Sequence, residues 1–564
     1  MVVLVVYGRT CTFGFLVWDD PKHVVDNELV NPPSAESLAK IWQEPYWGLY
    51  VPISYTVFAA EATVARRTVP GEIETRPNPA VFHAVSLLLH AACVLLVFVL
   101  LRRLCGHDAA AFAGALLFGL HPMQVESVAW ISETRGLLCA FFSLLAILGF
   151  LRFVGYDAQG EQEKEHAKTS AISWLGYGLA TAAFVAACLC KPAAVAVPAV
   201  VGVLAVGWLR HRPLKVFWLL TPWLLVALCV VVLTKTQQPD SVVWAVAPYW
   251  ARPVLAADAL AFYAYKLATP ILLVPDYGRS PSAVMGHWTF YATWALPVVL
   301  LGSFCVFRSR RVWLVAAGVA VCWLLPVLGL VPFDYQRYST VADRYVYLAM
   351  LGPAFALAWY LSKPRPRAIL TTTVILFCVL AGLTVNQISH WRDDISLLDH
   401  NLAVNRGSVM GNHNRGYLYS REKQYRAAAQ HFSRALATDP KHGESHLNMG
   451  WALASMGYVE DAKGHLSEAL RLMPDEPLVH FNIAGVALFC DDDPQLAAKY
   501  FKNAVALDPG FVRAHLNLAQ ARLRQGRVDD AVASWQSALQ LVHPKSKAAE
   551  DIRRAMKEAR EGTE

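Results

Sequence analysis

The chain has 564 residues, of which 55% are hydrophobic and 16% charged, with a formal net charge of +7. Soluble domains carry roughly a quarter charged residues, so a wholly soluble protein is excluded. The surplus positive charge does not point to nucleic acid, because the basic residues fall in short clusters at the edges of apolar runs.

Those runs stop near Asn386, which divides the chain into a polytopic membrane domain over 1–390 and a polar tail. Stretches of roughly 17–22 apolar residues are long enough to cross a bilayer. They lie near 2–17, 82–101, 109–131, 136–151, 172–190, 193–209, 216–234, 289–307, 312–332, 345–361 and 368–386, which predicts about eleven spans. The first is short and interrupted by Arg9 with no basic leader, the pattern of a truncated start rather than a cleaved signal peptide.

Straight after that run comes GFLVWDDP, which sets Asp19 and Asp20 side by side where lipid meets water. Adjacent acids repel and do not anchor a helix. One of them can cap the helix that Pro21 opens; the other needs a different role.

Basic residues give the orientation. Arg102 and Arg103, then Arg152, Lys164 and Lys168, then Arg210, Arg212 and Lys215 occupy alternate loops. Arg308, Arg310 and Arg311, then Lys363, Arg365 and Arg367, continue the series, so these loops are cytoplasmic. The loops 18–80 and 235–288 then face outward. Within the second, 253–275 reads as an interfacial or re-entrant helix. Counting crossings puts the tail on the outer side.

Three more charged groups fall on that side, where charge is costly and marks function. HPMQVESVAWISETRGLL holds His121, Glu126, Glu133 and Arg135; Glu126 and Glu133 are seven apart and share a face if the segment is helical. Lys191 lies at the break CLCKPAAV, and ADRYVYL brings Asp343, Arg344 and Tyr345. Structural readings exist for each: Lys191 and Arg344 can snorkel to the interface, and Glu126 can simply pair with an arginine. Taken together, a carboxylate suits a general base toward a hydroxyl, and cations near the lipid plane suit a phosphate leaving group. That chemistry is transfer from a lipid-phosphate donor to an outer acceptor. Ten of the eleven cysteines lie in the apolar part, with no CxxC pair, and read as small core hydrophobes. No motif demands a cofactor, although the acidic pair could hold a divalent cation weakly.

After a linker over 391–409, the tail repeats. Asn414, Asn448, Asn482 and Asn517 recur at 34, 34 and 35 residues, and Pro440, Pro474 and Pro509 keep the same period. Small residues such as Gly416, Ala428 and Ala435 alternate with Phe432, and later units repeat the pattern. These are four tetratricopeptide repeats over 410–544, closed by a polar capping helix over 545–564. The whole chain is therefore expected to be all-α: a membrane helix bundle followed by an α-solenoid. The recurring histidines, His413 to His515, read as polar helix positions rather than metal ligands.

WDD after a span, HPMQVESVAWISETRG, KPAAV, ADRYVYL and C-terminal repeats, in that order, resemble the transmembrane and tetratricopeptide repeat-containing O-mannosyltransferases and their bacterial relatives. These belong to the GT-C superfamily of glycosyltransferases. The resemblance implies inverting transfer of mannose or another hexose from a polyprenyl-phosphate donor to Ser or Thr of an acceptor protein, which the repeats would recruit. It implies catalysis by the acidic pair, Asp19 preferred as base and Asp20 supporting. His121, Glu126, Glu133 and Arg135 would line the site, and Arg344, Tyr345 and Lys191 would contact the donor phosphate. The motif wording implies a bacterial inner membrane with periplasmic repeats, contacts with membrane lipids and no nucleic acid. The competing readings are a non-catalytic membrane-anchored scaffold and, third, a transporter. Neither accounts for acids gathered at the outer face.

Overall fold

The computed structural model describes residues 1–66, 77–155, 170–237, 247–544 and 546–561. Among them every regular element is helical, apart from isolated bridges joining Tyr46 to Leu49 and Arg66 to Pro77. Lys164 and Lys168 of the second basic cluster lie outside the described residues, as do 67–76 and 238–246 in the two long outer loops. The chain divides into two compact units, Met1–Asn405 and Arg406–Glu564.

Among the described residues of the first unit, five helices are long and apolar enough to cross a membrane: Pro79–Cys105, Ile131–Phe153, Pro213–Gln237, Arg310–Val327 and Arg367–His390. Shorter apolar helices cover Val2–Thr12, Asp108–Leu120, Trp174–Cys190, Pro192–Trp208, Phe290–Val306 and Leu351–Leu361. Each run expected from the sequence overlaps one of these helices, some of them only in part. Pro213–Gln237 leaves Leu214, Trp218, Leu225 and Leu228 bare, an apolar face suited to lipid. The chain is a membrane protein.

Local chemistry sets the helix ends. Pro79 opens its helix beneath an Asn78 cap, and Gly106, at φ 66°, closes it beside Arg102 and Arg103, whose charges suit a helix C-terminus.

Two expectations are corrected, those for 109–131 and 391–409. The run 109–131 is not one helix: Asp108–Leu120 ends at His121, Pro122 opens a 3-10 turn, and Val125–Ala129 forms a single helical turn. Trp130 is extended before the chain turns into the helix beginning at Thr134. Pro122 has no N–H to continue a ladder, so the span becomes a buried corner. The region 253–275 holds a helix, Arg252–Ala268, whose Asp258 is buried and bonded to Arg279 and Thr293. Residues 391–409 are not a bare linker: Asp393 caps a helix over Asp394–Val404, which buries Leu397, Leu398 and Asn401. Its apolar side belongs to the membrane unit.

The second unit is four helix pairs. They run Val409–Arg421 with Tyr425–Thr438, Gly443–Ser455 with Val459–Leu472, Pro477–Phe489 with Pro494–Leu507, and Val512–Arg524 with Val528–Leu541. The small residues do what the period implies. A Cβ at Gly416 would lie 2.6 Å from the Phe432 ring, and one at Gly450 would lie 2.7 Å from Leu466. The histidines of the later repeats serve the turns. The Nε2 atoms of His446, His480 and His515 meet the carbonyls of Pro440, Pro474 and Pro509 at 3.1, 2.7 and 3.0 Å. Lys547–Glu561 closes the array by burying Ala549 and Ile552.

Candidate active site

The acidic pair sits on a turn held from two sides, and its two members are treated differently. Asp20 is fully buried. Its Oδ2 accepts the Leu16 amide at 2.9 Å, and its Oδ1 accepts the Ser132 amide at 3.0 Å and the Ser132 hydroxyl at 2.6 Å. The next amide, Val17, donates to Asp394 Oδ1 at 2.7 Å. Asp19 is only partly buried, and among the described residues its carboxylate makes no hydrogen bond or ion pair. Desolvation raises the pKa of both acids, to about 6 for Asp20, where the Ser132 and Leu16 bonds oppose the rise. For Asp19 the opposing charges are Arg135 first, then Lys22 and Arg344.

Arg135 is the cation that faces this acid. Its Nε donates to the Ser132 carbonyl at 2.9 Å, and among the described residues its guanidinium forms no ion pair. Asp19 and Arg135 attract each other across space without forming an ion pair among the described residues, while Arg135 is held by the Ser132 carbonyl and the Tyr55 hydroxyl. Beside them His23 Nδ1 and the Tyr55 hydroxyl share a 2.9 Å bond, and burial together with Arg135 and Lys22 holds that imidazole neutral.

Behind the pair lies a buried ionic chain. Glu126 accepts the Arg344 amide at 3.0 Å and its Nη1 at 2.5 Å. Arg344 Nε is 3.9 Å from Glu133, whose carboxylate takes Lys191 Nζ at 2.7 and 3.0 Å. The Arg344 guanidinium also lies over the rings of Tyr335, Tyr345 and Trp130, at 4.2, 5.0 and 5.5 Å. Next to it, the Tyr277 hydroxyl donates to Asp343.

This arrangement changes several expectations. Glu126 and Glu133 do not share a helix face, because Trp130 breaks the helix between them; Arg344 joins them instead. Arg344, expected at a phosphate, has a side chain only 8% exposed and is held by carboxylates, while Lys191, at 27%, keeps an exposed edge. Tyr345 stacks at the rim of the same cluster. His121 is buried with both ring nitrogens committed, Nε2 to the Leu267 carbonyl at 3.1 Å and Nδ1 to the Met123 amide at 3.3 Å. It caps the corner. A Cβ at Gly136 would lie 2.6 Å from Glu133 Oε2, so a larger residue here would displace that carboxylate.

The sequence reading missed Ser132 and Asp394. Ser132 lay inside the quoted motif, and the only signal for Asp394 is that WRDD repeats, after the last apolar run, the aromatic–acidic pattern of WDD. Among the described residues no group of three or more His, Cys, Asp or Glu is arranged to hold a metal ion.

Comparison with known proteins fits this picture. The tetratricopeptide repeat family matches residues 420–481 and 488–540. The chain is 22% identical to Protein O-mannosyl-transferase TMTC3 of Mus musculus over 605 residues, covering 96% of this chain and 63% of that protein. It is 25% identical to Protein O-mannosyl-transferase TMTC4 of Homo sapiens over 520 residues, covering 81% of this chain and 63% of that protein. For the Drosophila melanogaster Tmtc3 protein of the same name, the figures are 22% identity, 93% and 65%. The chain thus spans under two thirds of the length of these relatives, and over most of its own length its relatives are proteins named protein O-mannosyl-transferases.

Proposed function

We propose that this protein is a membrane glycosyltransferase of the GT-C type that moves mannose or another hexose from a polyprenyl-phosphate donor to Ser or Thr hydroxyls of proteins. Asp19 takes the proton of the acceptor hydroxyl as its oxygen bonds to the anomeric carbon; the bond from that carbon to the phosphate oxygen breaks, and the lipid phosphate leaves with the electron pair. Displacement from the opposite face inverts the sugar. Arg135 neutralises the leaving phosphate, with the exposed edge of Lys191 as a second positive charge. Arg344 works from behind, fixing Glu126 and Glu133. Asp20 holds the turn. The repeats recruit the acceptor polypeptide; the crossing count and basic loops favour an array on the outer side of the membrane, and the motif wording favours a bacterial inner membrane with that side periplasmic.

The observation that carries this reading is that, among the described residues, the Asp19 carboxylate and the Arg135 guanidinium attract each other yet neither forms an ion pair. A scaffold would gain nothing from two unneutralised opposite charges held apart beside a bilayer. The test uses the full chain in lipid nanodiscs with polyprenyl-phosphate mannose and Ser/Thr-rich peptides. Product of the anomeric configuration opposite to the donor is expected, and Arg135→Ala should raise the donor KM. Absence of transfer from every polyprenyl-phosphate hexose tried would sink the proposal.

A further inference from the structure

The helix Asp394–Val404 joins the last long apolar helix to the repeats, yet its side chains and those of the flanking Trp391 and Asn405 reach three separate segments around the site. At its start, Asp394 Oδ1 holds the Val17 amide at 2.7 Å, two residues before Asp19. Just ahead of it, the buried Trp391 ring lies 6.1 Å from Trp130, in the corner that carries Glu126 and Glu133. Toward its end, His400 Nε2 meets the Leu273 carbonyl at 3.0 Å, and Asn401 Oδ1 accepts the Asp276 amide at 3.3 Å. Asn405 Nδ2 donates to the Asp276 carbonyl at 3.4 Å. Tyr277, the next residue, is the one that bonds Asp343 beside Arg344.

We propose that this helix is the brace of the site and that Asp394 is a positioning residue for Asp19. The inference rests on the glycosyltransferase reading. The Asp19 carboxylate has no hydrogen bond of its own, so only its backbone decides where it points. Among the described residues, side chains tie that backbone to other segments at three points, the longest bond being His83 Nε2 to the Gly14 carbonyl at 3.4 Å. Asp20 links it to Ser132, and Asp394 links it to the brace; the Asp20–Leu16 bond shapes the turn internally without fixing its place. With the Asp394 tie gone, the turn can pivot about Ser132. An anion accepting a backbone N–H is a strong bond, and its loss is large on the scale of turn motions. A shift of about 1 Å in a reacting group can cost on the order of a hundredfold in rate.

The test compares Asp394→Ala with Asp394→Asn in the full chain in nanodiscs, with rates normalised to folded protein. Asn keeps an oxygen acceptor for the Val17 amide; Ala removes it. Asp394→Ala is expected to lower kcat about ten- to a hundredfold with donor and acceptor KM unchanged, and Asp394→Asn to restore most of the rate. A merely structural role would lower thermal stability and leave kcat per folded molecule intact, which overturns the proposal. So would an Asn variant as slow as Ala. A second measurement needs no activity: amide exchange of the peptide spanning 13–20, read by mass spectrometry, should accelerate in Asp394→Ala and not in Asp394→Asn. Unchanged exchange overturns the brace. Accelerated exchange in a protein whose wild type transfers no sugar supports the brace and rejects the glycosyltransferase reading instead.

Discussion

Replacing each member of the acidic pair by its amide separates chemistry from structure. In Asp20→Asn the side chain has one acceptor oxygen where the carboxylate had two. Leu16 N–H approaches one position and Ser132 N–H the other, so either flip leaves an amide hydrogen facing the new NH2 group. A buried donor left unmatched costs about 1–3 kcal/mol. Asp19→Asn breaks no bond. Its stability change should stay within about 0.5 kcal/mol, and on the stabilising side, because it removes a carboxylate whose charged form burial disfavours. Transfer should respond in the opposite order: loss of a general base costs about a hundred- to ten-thousandfold, whereas Asp20→Asn should retain activity in the fraction that remains folded. Thermal inactivation midpoints and single-turnover rates on the same nanodisc preparations measure both quantities. An Asp19→Asn protein that transfers normally, beside an Asp20→Asn protein of wild-type stability and no activity, would refute the division of roles.

Three further outcomes follow from the same geometry. Glu126→Ala strips the Arg344 guanidinium and amide of their closest acceptor and should destabilise by about 3–5 kcal/mol, as broken buried pairs do; Glu126→Ala with Arg344→Met should lose less than the single change, which a thermal-midpoint cycle would reveal. Gly136→Ala places a methyl against Glu133 and should separate that carboxylate from Lys191, so that Lys191→Met has little further effect on stability in its background. The rate of transfer should rise with pH as Asp19 loses its proton, with the acid limb above the ordinary aspartate range. Stability should move the other way: Asp20, raised from 3.8 to about 6, contributes stability that is complete below 3.8 and lost as pH rises through about 6. That loss should be absent in Asp20→Asn.

What the sequence revealed depended on how local the cause was. The repeats were legible because Asn414 and its successors, with the prolines, restate one packing solution at a fixed period. The acidic pair stood out because two adjacent carboxylates follow straight after an apolar run, where charge is costly. The corner at 122–134 was misread as a helix, since its hydropathy is that of a span and only Pro122 hinted at a break. Whether a cation is available or already paired was not legible at all. Arg344 and Glu126 are 218 residues apart, and Lys191 meets Glu133 across 58. Arg135, two residues after Glu133 in sequence, looked the most ordinary of the cations and is the one that forms no ion pair with a carboxylate among the described residues.

The helix after the last apolar run also sets where this protein can be divided. Hydropathy alone would place the seam just past His390 and treat everything beyond it as interchangeable cargo. A hybrid joined there would inherit a foreign segment in place of Trp391, Asp394, His400 and Asn401, and its acidic turn would lose a support that no membrane-embedded residue supplies. The transplantable module begins only after Asn405. Exchange of repeat arrays between such proteins, whether in the laboratory or by recombination, should succeed when the junction respects that residue and fail when it follows the edge of the bilayer.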